Sequence, residues 1–466
     1  MNPIFEKILI SISENSEKIA ITCNNENISY ADLYEKTKKI ADELVEKGAK
    51  AGSHIGIYQH KSIDFVASVC AILSLDAVLV PFNIGWTEKE VNNAAQEADV
   101  GILICDREIH CFDSTKVYSK NDCIFLMTSG STGMPKIVRV SWKAMLTRLQ
   151  MEIAEFGLCN RDVVMISTPI YHSLGIRLLM TALYLGTHII LPKTFYALGW
   201  IDCVERYQVT YTITVPNQII QILDEVNERY EEYSERLSSL RTILSTAAYL
   251  PENIKKEFIK VVRGNFYNFI ASSETEFIAK TDCKQNDGDN LLGYPFVGTQ
   301  LRILKEDNSI CGVGEVGEIV CSSSQLFSGY YKNDRLTTNA VQEDYYRTGD
   351  LGFVDNKGCV HFSGRKKNMI ICSGVNIYPT DIEKILKGCD GVKDCVAFGI
   401  EDKLCGEVLC IAVATKKLSK KDIQKYCVEN LAIYQQPREV VIVDSIPKND
   451  MGKINLKEIR KSILRR

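Results

Sequence analysis

Residues 123–136 read Cys123-Ile-Phe-Leu-Met127-Thr128-Ser129-Gly130-Ser131-Thr132-Gly133-Met134-Pro135-Lys136. An apolar strand ends at Met127, and a loop carrying four hydroxyls, two glycines and a closing lysine follows at once. Hydroxyl donors, closely spaced backbone N–H groups and one cation are what a polyphosphate needs around it. Gly130 and Gly133 lack the Cβ atoms that would hold a phosphate oxygen off the backbone. The run is not a Walker A loop, because no Gly-Lys-Ser/Thr closes it and Pro135 stands before Lys136. A solvated Ser/Thr/Gly turn is the competing reading. The position directly after a buried-looking strand favours the phosphate loop.

Outward from this loop, short β-rich runs alternate with helical ones. Residues 54–59, 78–83, 163–167, 188–192, 211–215, 242–245 and 266–271 have strand character, and 63–75, 177–185, 200–207, 217–224 and 251–262 have helical spacing. The alternation predicts an α/β fold of layered, mostly parallel sheets flanked by helices, with right-handed crossovers. Beyond about residue 291 the pattern changes to hairpins at 300–305, 317–321, 352–354 and 359–363, a β-rich subdomain. A second change falls at Gly364-Arg365-Lys366-Lys367, after which strand-like 396–399 and 408–414 accompany a helix capped by Ser419 and Asp422. The expected division is therefore a large domain, 1–364, and a small α+β domain, 365–466. Gly312-Val-Gly314-Glu-Val-Gly317 matches G-x-G-x-x-G but leads into a strand, so a tight turn is expected there.

A chain of 466 residues exceeds one ordinary core. Its 45% hydrophobic and 24% charged content is that of a globular protein, and no run of ~18 apolar residues is present to span a membrane. The amino terminus lacks the basic and apolar blocks of a secretory signal. Seventeen cysteines form no Cys-x-x-Cys pair and histidine is scarce at six, which gives a zinc site no support and points to a reducing, cytoplasmic compartment. The net charge of −4 is uneven: from Arg365 onward 20 Lys/Arg face 13 Asp/Glu, a surplus of seven that leaves −11 on the rest. A basic small domain suits anions, although a lysine-rich solvated face explains it equally well. No aromatic-interleaved basic stripe points to nucleic acid.

Four further stretches carry chemistry. His172, in Pro169-Ile-Tyr-His-Ser-Leu-Gly175, follows a strand end, where sites collect in open α/β sheets; a structural histidine is equally compatible. In Ile270-Ala-Ser-Ser273-Glu274-Thr-Glu276, hydroxyls beside a carboxylate suit a phosphate oxygen and Mg2+, and a helix N-terminal cap is the alternative. Tyr345-Tyr-Arg-Thr348-Gly-Asp350 puts a carboxylate after a glycine turn, fit for two ribose hydroxyls or for an Asx turn, with Arg365 available to the same sugar or to phosphate. Pro447-Lys-Asn-Asp-Met-Gly452-Lys453 sets a lysine after a flexible turn; alone it would be an ordinary exposed lysine.

In this order and spacing the stretches resemble the adenylate-forming (ANL) superfamily, of the acyl-CoA synthetase and aryl-acid ligase type. The likeness runs from Ile28-Ser-Tyr-Ala-Asp-Leu33 to Lys453. It implies a two-step reaction: a carboxylic acid and ATP give an acyl-adenylate and pyrophosphate, and a thiol then displaces AMP. ATP, Mg2+ and coenzyme A are the implied cofactors, with the phosphopantetheine of a separate carrier protein as the alternative acceptor. By resemblance, Thr128, Ser129, Gly130, Ser131, Thr132, Gly133 and Lys136 are the phosphate loop, Glu274 holds magnesium, and Ser273 touches the α-phosphate. Asp350 binds ribose with Arg365 assisting, and Lys453 bridges the acid and phosphate as charge builds in adenylation. Lys367 occupies the hinge on which a mobile small domain would swing, bringing residues 371–379 to the thiol.

The acid pocket implied is lined by His172, Ser173, Thr246, Ala247, Ala271 and Ser272. The carboxylate that amino-acid-activating relatives place there is missing near His172, which favours an aryl or fatty acid without an amino group. Ile270-Ala271 departs from the family's aromatic-Gly, and Glu276 competes with Glu274 in the alignment. A catalytically silent nucleotide binder is the reading that this departure favours. Luciferase-type oxygenases share the fold.

Overall fold

The structure is a computed structural model. It describes every residue except 1, 107, 113–117, 129–134, 286–287, 289–290, 373–374, 403–404, 449–453, 457 and 461–466. The chain divides into two units, residues 1–287 with 295–300 and 321–346, and residues 288–294 with 301–320 and 347–466.

In the first unit, strands Asn265–Ser272, Thr242–Ser245, Tyr211–Thr214, Val163–Met165, His188–Leu191 and Ile19–Cys23 lie side by side in that order, every pairing parallel. Thr242–Ser245 and Tyr211–Thr214 are buried at every position, and the inward Thr212 and Thr214 hydroxyls donate to the Met165 and Leu244 carbonyls. Glu276–Asp282 and Glu26–Ser29 close this run at its two ends as antiparallel strands. A second, seven-stranded sheet has the order Gly329–Tyr330, Lys136–Ser141, Asp122–Thr128, Val78–Pro81, His54–Tyr58, Ile102–Cys105 and Ile109–Cys111. Helices Ile63–Ser74 and Ser173–Leu185 each bury ten residues, too many for a one-sided stripe. Such all-round burial belongs to a helix inside the layers. The layered α/β class is therefore present, with helix starts extended by up to four residues at Ser173–Leu185 and Ala197–Tyr207.

The second unit holds most of the hairpin strands Gln300–Leu304, Gly317–Ser322, Tyr345–Val354, Val360–Arg365 and Leu291–Pro295. Gly312–Gly317 is a turn whose Gly312 N–H donates to Glu315, and a strand follows it, so the glycine pattern there is not a nucleotide fingerprint. A five-stranded sheet of Val375–Ile377, Ile370–Cys372, Gly406–Ala414, Asp394–Asp402 and Glu439–Val443 completes the unit. Alternate residues of its two long strands feed opposite faces. Cys395, Ala397, Leu409, Ile411 and Val413 join one core, and Val396, Phe398, Cys410, Ala412 and Ala414 join the other. The helix Lys420–Asn430 carries the expected Ser419–Asp422 capping box.

Asp394–Asp402 lies at the edge of that sheet, where backbone N–H groups lack a strand partner. Glu383, on the helix Pro379–Lys387, accepts the Ala397 N–H at 2.9 Å. Burial pushes its carboxyl up to about 7. Between the ordinary glutamate value and 7 the folded state therefore binds more protons than the unfolded one, and stability falls as pH rises through that window. Glu383→Gln keeps an acceptor oxygen without the charge. It is expected to stabilise this unit at pH 8 by on the order of 3 kcal/mol and to flatten its unfolding midpoint between pH 5 and 8. Denaturant melts at the two pH values check this.

Candidate active site

The ends of the expected phosphate loop are held by a ladder. Asp122–Thr128 and Lys136–Ser141 pair antiparallel with Thr128 opposite Lys136, and the first five residues of the former strand are buried. Ser129, Gly130, Ser131, Thr132 and Gly133 lie outside the described residues. Gly329–Tyr330 adds to this ladder, Tyr330 opposite Val138. The Lys136 ammonium stands 5.4 Å from the centroid of the Tyr330 ring. The Tyr330 hydroxyl donates to Glu274 Oε1 at 2.8 Å and accepts from Tyr346. Burial first, and the Glu274 charge second, push the Tyr330 hydroxyl well above its ordinary range, keeping it a neutral donor. Lys136 thus stands over the ring whose hydroxyl holds Glu274.

No helix begins at Ser272-Ser-Glu-Thr-Glu. Asn265–Ser272 turns directly into the antiparallel Glu276–Asp282, so the helix-cap alternative gives way to a hairpin with Ser273, Glu274 and Thr275 at its tip. The two competing carboxylates have opposite fates. Glu274 is half-buried at the tip, whereas Glu276 is 2% exposed and bound to arginine. Its Oε1 accepts Arg177 Nε at 2.7 Å, and its Oε2 accepts Ser173 Oγ at 2.7 Å and Arg148 Nη1 at 3.4 Å. Arg177 also pairs with the fully buried Glu152. Two guanidinium and two carboxylate groups balance, and removing one would leave a buried charge uncompensated, a loss of about 3–5 kcal/mol.

The expected acid-pocket hydroxyls are spent within the protein. Ser173 donates to Glu276, Thr246 donates to the Phe269 carbonyl at 2.7 Å, and Ser272 shares a hydrogen bond with Thr275. Ala271 is partly buried, and Ala247 holds a left-handed φ of 77°, a conformation costly for any residue with a Cβ. His172 precedes the helix Ser173–Leu185 without capping it, its ring 4.6 Å from that of Tyr171.

In the second unit Asp350 stands opposite Arg365 across the hairpin, and Arg365 Nε meets Asp350 Oδ1 at 2.8 Å. Asp350 is 4% exposed. Its N–H donates to Thr348 Oγ1 through a turn in which Gly349 has φ 70°. Beneath it Glu318 accepts Arg347 at 2.7 Å and Lys366 at 3.3 Å. Burial would raise that carboxyl, but these two cations hold it below its ordinary range. Thr348, Gly349, Arg365, Lys366 and Lys367 line an open cavity of about 380 Å³, which brings the expected ribose assistant Arg365 and hinge residue Lys367 to one cavity, with Asp350 outside its lining. Asp350→Ala is expected to raise the KM for ATP by about tenfold or more, since one charge-assisted hydrogen bond contributes about 1.5–3 kcal/mol. Initial rates across an ATP series check it. Lys453 lies outside the described residues. A third group, Asp355, Cys359 and His361, clusters within 4.8 Å, but Asp355 accepts two N–H groups of its own turn and the Cys359 thiol donates to the Gly293 carbonyl. It reads as hairpin structure.

Sequence reading missed Tyr330, Arg148, Arg177 and Glu152. An arginine within an otherwise apolar helix was the one local signal, at Arg177.

The profile of AMP-binding enzymes matches residues 10–121 and 114–331, and that of the AMP-binding enzyme C-terminal domain matches 381–453. The chain belongs to the AMP-binding enzyme family. This AMP-binding enzyme is 25% identical to a 2-succinylbenzoate–CoA ligase of Bacillus velezensis and 24% identical to that of Bacillus subtilis, in each case over 96% of both chains. Among solved structures, ATP-bound MatB from Rhodopseudomonas palustris superposes with a TM-score of 0.90 at 22% identity, covering 99% of both chains. The o-succinylbenzoate CoA synthetase of Bacillus subtilis with its acyl-adenylate gives 0.85 at 22%, covering 97% of both. These structures share its fold.

Proposed function

We propose that this AMP-binding enzyme is an AMP-forming acid–thiol ligase that activates an aromatic carboxylic acid with ATP and passes the acyl group to coenzyme A. The observation that carries this reading is that Lys136, over the ring of Tyr330, and Glu274, on its hydroxyl, converge on one residue beside the Thr128–Lys136 strand ends. In the first half-reaction an acid oxygen attacks the α-phosphorus of ATP, and pyrophosphate leaves with the electrons of the broken P–O bond. In the second, a thiolate attacks the acyl carbonyl and AMP leaves. Lys136 meets phosphate charge, Asp350 and Arg365 hold ribose, and Lys453 offsets the charge that builds on phosphorus. Glu274 and the adjacent Ser273 hydroxyl form a hard-oxygen set that fits Mg2+, which when bound would neutralise phosphate charge.

An acid without an amino group suits a site with no carboxylate beside His172 in the chain, and 2-succinylbenzoate is the first acid to try because relatives matched over 96% of both chains carry that name. Seventeen free thiols fit a reducing cytoplasm, and no helix among the described residues is long and apolar enough to cross a membrane. The test is ATP–pyrophosphate exchange over 2-succinylbenzoate, benzoates, cinnamates, malonate and fatty acids, followed by thiol consumption with coenzyme A. Exchange with an aromatic acid and thioester formation on coenzyme A are expected. ATP binding without exchange for any acid would replace this reading with a silent nucleotide binder. Transfer only to a phosphopantetheinylated carrier would replace the acceptor.

A further inference from the structure

The fully buried arginine of helix Trp142–Phe156 touches the backbone of the candidate metal turn. Arg148 Nη2 donates to the carbonyls of Ser273 at 3.2 Å and Glu274 at 3.3 Å, and its Nε donates to the Gln325 carbonyl at 3.0 Å. Its remaining nitrogen, Nη1, faces Glu276. One planar guanidinium therefore grips both residues assigned to phosphate and magnesium, and its orientation is set by a carboxylate two residues beyond them.

Glu276 also adopts φ 58°, a left-handed conformation in which a hairpin of this length ordinarily uses glycine. In that conformation its carboxylate is bound by Arg148, Arg177 and Ser173. The same carboxylate accepts from Ser173, the residue after His172. Arg177 orients it from the other side and is itself tied to Glu152, whose oxygens accept the hydroxyls of Tyr211 at 3.1 Å and Thr181 at 2.7 Å.

We infer that Glu276 and Arg148 are positioning residues for the metal turn: Glu276 aims the Arg148 fork, and the fork fixes Ser273 and Glu274 where a divalent cation and the α-phosphate are to be held, in register with the start of the His172 helix. Outer partners of a metal carboxylate typically contribute 10–100-fold to metal affinity, because they remove the freedom the ligand would otherwise lose on binding. The inference rests on Glu274 as the magnesium carboxylate.

The test reads metal binding directly. Mn2+ binding to the full-length enzyme is measured by electron paramagnetic resonance in the presence of α,β-methylene-ATP, with metal-free AMP binding by calorimetry and the thermal midpoint recorded alongside. Arg148→Lys retains the charge facing Glu276 but loses the planar fork, and Glu276→Gln retains shape but loses charge. Each is expected to weaken Mn2+ binding by about tenfold or more while AMP affinity stays within about twofold. Should Glu276→Gln fail to fold, Arg148→Lys decides alone, since it leaves the buried charges balanced. A lowered thermal midpoint with unchanged Mn2+ affinity in Arg148→Lys overturns the inference and leaves the cluster purely structural. Glu274→Gln separates the two claims. Unchanged Mn2+ affinity there removes the metal assignment itself, whereas lost affinity there with none lost in Arg148→Lys removes only the positioning role.

Discussion

Glu274→Gln is expected to slow ATP–pyrophosphate exchange by about 10²- to 10³-fold, the size of effect seen when one preorganised charge is removed from a transition state. The substitution leaves an amide oxygen that still accepts from the Tyr330 hydroxyl, and Glu274 lies at a half-buried hairpin tip, outside the closed ion cluster. The thermal midpoint should therefore stay near that of the parent while activity falls. Extra Mg2+ should restore part of the rate, because the variant weakens cation binding and leaves the acid pocket intact. Exchange within about threefold of the parent at limiting Mg2+ would remove Glu274 from the chemistry and with it the magnesium assignment.

Lys453→Ala is expected to divide the two half-reactions. Adenylation should fall by about 10²-fold or more, since an ammonium group is required where negative charge accumulates on pentavalent phosphorus. Thioester formation from a supplied acyl-adenylate creates no such charge and should remain within about threefold of the parent. Single-turnover measurements of each half-reaction make the comparison. Equal loss in both would show that Lys453 acts on the placement of its segment rather than on adenylation.

The legibility of this fold follows from where its information lies. Strand and helix positions in the large unit are visible because burial on both faces writes short continuous apolar runs, such as Val78–Pro81, between segments of helical period. Thr128, Lys136, Asp350 and Arg365 are equally visible, because turn chemistry next to a strand is a local property. Ser272–Glu276 shows the limit. Hydroxyl and acidic residues after a strand suit a helix cap or a hairpin alike, and only the antiparallel return of Glu276–Asp282 distinguishes them.

By itself, then, the amino-acid sequence determined the layered α/β class, the nucleotide-binding chemistry and the order of the motifs that carry it, all of which depend on neighbours a few positions apart. Tertiary structure alone showed that Glu276, and not Glu274, is closed into a buried ion cluster. Arg148 and Glu276 are 128 residues apart, and Arg177 and Glu276 are 99 apart. Beyond the charge set in an apolar helix at Arg177, nothing near them in the chain announces the pairing. Two charged groups enter a dry interior only together, since the attraction of the partner must offset the water each gives up, and the order of strands in the sheet is what makes them neighbours.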